Sequence, residues 1–145
     1  MNEDKLKALF TLWQKRLGLG EWDITINVME FEPASNVMRC SQATNYNVAV
    51  IKVQPWVLTA NPPEDYLGGE VKITTQSIEK GVVHELLHCS LKRLLYWEDM
   101  LDGQLHRDAT TILEKAYDQA LEASVDHLAV SLVKSFGQPQ KGAKK

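Results

Sequence analysis

His84-Glu85-Leu86-Leu87-His88 lies in a stretch from about Thr75 to Asp99 that holds no proline. Apolar residues recur there at Ile78, Val82, Leu86 or Leu87, Leu91, Leu94 and Leu95, close to the helical period, so the segment reads as a helix. Thr74, Thr75 and Ser77 are candidates for its N-cap, and Glu79 is favourably placed in the first turn. On a helix, two histidines four apart sit one above the other on the same face. Both imidazoles can therefore reach a single metal ion. Glu85 lies beside them, close enough to act on a water at that metal but not placed as a ligand. A chance match to this pattern arises in on the order of one in a hundred chains of such composition. The plain alternative is a helix with two ordinary half-buried histidines. Gly81 shares the stripe one turn before His84: either a side chain there would crowd the site, or the glycine is a tolerated defect costing about 1 kcal/mol relative to alanine.

A metal needs a third ligand from another element. A third histidine six residues after the second would mark a metzincin, but that position is Leu94 with no glycine before it. The remaining candidates are His106, Glu114, Asp118, Glu122, Asp126 and His127. The stretch from about Leu105 to Phe136 reads as a long amphipathic helix, patterned by Ala109, Ile112, Leu113, Ala116, Ala120, Leu121, Val125, Leu128, Ala129, Leu132, Val133 and Phe136. At about 100° per residue, Glu122 falls within roughly 60° of Val125, Ala129, Val133 and Phe136. A carboxylate in the margin of an apolar face is costly unless it is paired or binds a metal. Asp126 is one turn further on, where it could hydrogen-bond a ligating histidine from behind. His127 is on the opposite side and reads as a surface residue.

His84-Glu85-x-x-His88 followed by Glu122-x-x-x-Asp126 on a later helix resembles the gluzincin pattern. That resemblance implies zinc held by His84, His88 and Glu122, with Asp126 orienting a histidine and Glu85 as the catalytic base. The stretch Glu122-Ala-Ser-Val125-Asp-His-Leu128-Ala129-Val-Ser-Leu132-Val133 is similar to the third-ligand helix of small bacterial and phage zincins, among them the repressor-cleaving peptidases of mobile elements. The leading helix, Trp22-Asp23-Ile24, the strands and the motif helix follow the same layout. The rival is His106, which stands at roughly the distance where SprT-like proteases carry a third histidine and has Gly103 before it; Arg107-Asp108-Ala109 does not continue their pattern.

The resemblance implies a zinc metallopeptidase acting on a peptide or protein. Tyr96, Tyr117, His106 and Arg39 are candidate oxyanion donors. The alternatives are a zinc-stabilised binding or regulatory module without general proteolysis, and a metal-free helical interaction domain.

Composition bounds the rest. The chain has 145 residues, which suits one domain, and 44% apolar content, enough for a core. A net charge of −3 argues against a nucleic-acid-binding surface. Cys40 and Cys89 stand in no metal-like spacing and read as reduced thiols, with no disulfide expected. No signal-peptide pattern opens the chain and no apolar run is long enough to span a membrane, so a cytoplasmic protein is expected.

Residues 3–17 read as an amphipathic helix with Leu6, Leu9, Phe10, Trp13 and Leu17 on one side, ended by Gly18 and Gly20. Trp22–Phe31, Val37–Thr44 and Tyr46–Gln54 read as strands, with Asn45 at a turn between the last two. Pro55–Glu70 reads as irregular. With the linker Trp97–Gly103 it would frame the cleft. The expected fold is α+β and zincin-like: an N-terminal helix, a small mainly antiparallel sheet, the motif helix and a long C-terminal helix. Residues 1–136 form the domain and 137–145 a flexible basic tail. In such folds an edge strand borders the cleft, and Tyr46–Val53 is the strand expected there.

Overall fold

The computed structural model describes residues 1–43, 46–62, 73–91 and 107–137, with the backbone alone at 107–110. Helix α1 (Glu3–Arg16) is followed by strands β1 (Asp23–Val28), β2 (Met38–Gln42) and β3 (Val48–Val53). A single turn α2 (Trp56–Thr59), the motif helix α3 (Thr75–Leu91) and the long helix α4 (Arg107–Phe136) complete an α+β architecture. The turn α2 lies in the segment read as irregular. Asn45, His106, Tyr96, the linker 97–103 and the tail 138–145 fall outside the described residues. Among those described, no helix is long and apolar enough to cross a membrane.

Local chemistry sets the helix ends. Asn2 caps α1 by accepting from the Lys5 N–H at 3.0 Å. Gly18, at φ +69°, takes the left-handed conformation just past its end, where a side chain would be strained. Thr74 caps α3 reciprocally: the Ser77 N–H donates to Thr74 Oγ1 at 3.1 Å, and the Thr74 N–H donates to Ser77 Oγ at 2.7 Å. Glu79 does not serve the helix end as expected. It is 2% exposed, and its carboxylate accepts from Trp13 Nε1 at 2.8 Å. The indole also lies under the Arg16 guanidinium, 4.8 Å from the ring centroid.

The sheet is mixed, not mainly antiparallel. Its order is β1-β3-β2, with β1 parallel and β2 antiparallel to β3. The cause lies in residues 29–37, which join the two outer strands past the end of β3. Gln54, 2% exposed, anchors this connection: its Nε2 donates to the Phe31 carbonyl at 2.6 Å and its backbone N–H to the Val37 carbonyl at 3.1 Å. The most apolar strand, β3, thereby takes the centre, with Ala49, Ile51 and Val53 buried. Tyr46–Val53 is therefore not the edge strand; β2 is, and it is β2 that lies against α3.

The core joins Leu6, Phe10 and Trp13 of α1, the inner face of the sheet, and Ile78, Val82, Val83 and Leu86 of α3. From α4 it takes Val125, Ala129 and Val133. Phe136, patterned for the same face, is 61% exposed, while its carbonyl accepts from Arg16 Nη1 at 2.5 Å. At Gly81 an added Cβ would meet only the Met38 thioether, at 3.5 and 3.6 Å, which is ordinary contact; of the two readings, the tolerated defect fits.

Trp13→Phe should destabilise the fold by about 1–3 kcal/mol, because the buried Glu79 carboxylate loses its indole donor. Chemical denaturation of the variant checks this, and an unchanged midpoint would contradict it.

Candidate metal centre

The motif helix is buried on most sides, and only one stripe of it reaches a cleft. That cleft, of about 940 Å³, opens between β2, α3 and α4, and His84, Glu85, His88, Glu122 and Asp126 all line it. The long helix brings its acids there by simple periodicity. Glu122 continues the stripe of Ala129 and Val133 toward the N-terminus, beyond the point where that stripe leaves the core. Its side chain is consequently 55% exposed, not desolvated as the sequence reading supposed.

The donor atoms converge. His84 Nε2 and His88 Nε2 are 3.1 Å apart. Glu122 Oε2 is 3.2 Å from His84 Nε2, and Glu122 Oε1 is 3.3 Å from His88 Nε2. Three ligands on a tetrahedral metal at about 2.0–2.1 Å stand about 3.3–3.4 Å from one another. The two Glu122 distances run to different oxygens of its carboxylate; with one donor atom from each residue, the three lie within 4.8 Å of one another, compact enough to close around such an ion. They are also the group among the described residues that could hold a metal.

Asp126 settles the histidine's orientation. Its Oδ1 lies 2.9 Å from His84 Nδ1. An ionised carboxylate only accepts, so Nδ1 carries a proton, which leaves Nε2, turned toward His88 and Glu122, as the ring nitrogen that a metal would take. Burial lowers the pKa of His88, which Glu122 partly offsets. The ring is then neutral at neutral pH, the form that ligates a metal.

Glu85 stands beside this triangle. It is 8% exposed, and burial pushes its carboxyl up to about 7 against the opposing effects of His84 and of the Cys40 N–H, which donates to it. That donor follows from the sheet. Val37 and Ala43 bond to β3, so the antiparallel alternation turns the N–H and C=O of Met38, Cys40 and Gln42 to the free edge. The edge strand thus grips the glutamate by its backbone, which no residue type in the sequence announced. The Cys89 sulfur lies 3.8 Å from that of Cys40.

The other candidates separate. Asp118 lines the cleft outside the triangle, and His127 is exposed as expected. Arg39 also borders the cleft, whereas Tyr117 is not among its lining residues. Compared with protein-family models, curated proteins and solved structures, the chain matches none.

Glu85 also makes stability depend on pH. Its folded pKa, about 7, lies above the ordinary glutamate value of 4.5. The neutral carboxyl therefore favours the fold below about pH 4.5, and that contribution is lost as pH rises through about 7. In chelator, Glu85→Gln should match the parent at pH 4 and exceed it at pH 8 by on the order of 1–3 kcal/mol. Denaturation at the two pH values checks this, and a constant difference would contradict it.

Proposed function

We propose that the chain is a zinc-dependent peptidase of the gluzincin kind, with a zincin-like fold. His84, His88 and Glu122 hold the metal and Glu85 is the general base. The observation that carries the reading is the triangle of donor atoms, drawn from two helices and backed by Asp126 on His84. Two imidazoles and a carboxylate suit zinc and leave a coordination position for water or substrate.

Zinc, when bound, supplies a Lewis acid that polarises water and the scissile carbonyl. The protein's own groups do the rest. Glu85 takes the proton from the attacking water and delivers it to the departing amine. Its burial and its hydrogen bond from the Cys40 N–H hold the carboxylate in one orientation beside the histidines. Asp126 keeps the proton on His84 Nδ1 and makes the ring a better donor. The free edge of β2 offers an extended peptide the outward backbone groups of Met38 and Gln42 and the Cys40 carbonyl. Arg39 is the oxyanion candidate on the cleft wall.

Loss of Asp126 to alanine should weaken zinc binding about 10–100-fold, as removal of a partner behind a ligand does. Glu122→Ala should weaken it further, and His106→Ala should leave it nearly unchanged. Chelator competition ranks the three; a dominant effect of His106 would move the third ligand there and favour the SprT-like assignment.

Glu85→Gln should retain zinc and lower peptide hydrolysis about 10²–10⁴-fold, since an amide cannot accept the proton. Zinc content and turnover are measured on the same sample. Undiminished turnover would remove Glu85 from the mechanism. Zinc without cleavage of any peptide, across a broad substrate profile, would instead support a binding or regulatory module.

A further inference from the structure

Two thiol side chains beside the cleft have no part in the hydrolytic scheme. Cys40 is half-buried on β2 and lines the cleft, while Cys89 follows His88 on α3 and is 2% exposed. They are 49 residues apart in the chain, yet their sulfurs lie 3.8 Å apart. Cys89 Sγ also lies 4.0 Å from the carbonyl of Glu85. The sulfur contact thus spans from the strand whose N–H holds the general base to the helix that carries both histidines. A disulfide is about 2.05 Å long, so its closure asks the sulfurs to approach by roughly 1.8 Å, a distance on the scale of a side-chain rotation.

We propose that Cys40 and Cys89 are an oxidisable pair that closes to an intramolecular disulfide, fastening β2 to α3 beside the metal centre. The oxidant is a hydroperoxide, small enough to enter the cleft. Cys40 is the sulfur that the cleft exposes. It takes the hydroxyl of hydrogen peroxide as the O–O bond breaks, giving a sulfenic acid and one water. The sulfur of Cys89 attacks that of Cys40, the S–O bond breaks, the S–S bond forms and a second water leaves. Two thiols lose two hydrogens and two electrons in all, and the peroxide is reduced to two waters. Burial shields Cys89 from oxidant in solution while leaving it in contact with Cys40, so one sulfur is attacked and the other resolves. The product closes the chain between β2 and α3 into a loop and fixes one wall of the cleft to the other, which raises the temperature of unfolding. In a reducing compartment such a bond is transient and reversible. The inference rests on the sulfur contact and stands whether or not the metal reading holds.

The test treats the full chain with hydrogen peroxide, alkylates it after denaturation and weighs it. The expected product is a monomer lighter by two hydrogens, with neither thiol alkylated, a raised unfolding temperature and full reversal by dithiothreitol. In Cys89→Ser, oxidation should stop at a Cys40 sulfenic acid that dimedone traps. In Cys40→Ser, the remaining thiol should oxidise at least tenfold more slowly. Peptide mapping of the parent protein locates the crosslink even where a variant does not fold. Three results would overturn the proposal: both thiols alkylating after a treatment that oxidises a small-molecule thiol, Cys40 proceeding to sulfinic acid without a crosslink, or covalent dimers as the sole oxidised product.

Discussion

A helix can aim two imidazoles at one point, but it cannot supply the third donor from its own turn. The site therefore depends on how α4 crosses α3: Val125, Ala129 and Val133 seat α4 in the core, and the contact between His84 and Asp126 ties the two helices at the cleft. At 2.9 Å this hydrogen bond fixes the ring's proton, its plane and the direction of its other nitrogen. Glu122, one turn earlier on α4, then falls within 3.3 Å of both histidines. The burial of Val125, Ala129 and Val133 keeps the crossing in register, because the apolar stripe that enters the core is the same stripe that continues outward as Glu122. Packing and chemistry are thus set by one helical phase.

The second constraint is the sheet. By taking the centre, β3 leaves β2 with a free edge against the motif helix. That edge is not a bare template, since the Cys40 N–H is committed to Glu85 and the Cys40 sulfur to Cys89. The buried carboxylate is raised to about 7 by its surroundings, an environment that suits the proton transfer proposed for it. The same strand thus serves the base, the thiol pair and the proposed seat of an extended peptide.

Much of this was legible in the sequence where periodicity speaks. The spacing of His84 and His88 placed both on one helix face, and the stripe through Ala129 and Val133 led to Glu122. Alternation from Trp22 to Val28 found β1, and Thr74 was among the cap residues named. What was not legible needed contacts between distant segments. The parallel pairing of β1 with β3 depends on Gln54, a residue type with no strand code, holding the connection at Phe31 and Val37. Glu79 reads as a first-turn acid because the sequence cannot show Trp13 waiting across the core. The apolar stripe suggests a desolvated Glu122, yet its side chain is exposed; helical phase alone carries it to the histidines. The approach of Cys40 to Cys89 left one trace, a cysteine directly after the second histidine of the motif.

The central claim is that His84, His88 and Glu122 converge on one metal ion. X-ray absorption spectroscopy of the zinc-loaded protein tests it most directly. The account predicts one zinc per chain with four nitrogen and oxygen ligands near about 2.0–2.1 Å and the outer-shell scattering of two imidazoles. A failure to load zinc, a shell containing sulfur, or a shell without imidazole scattering would contradict it.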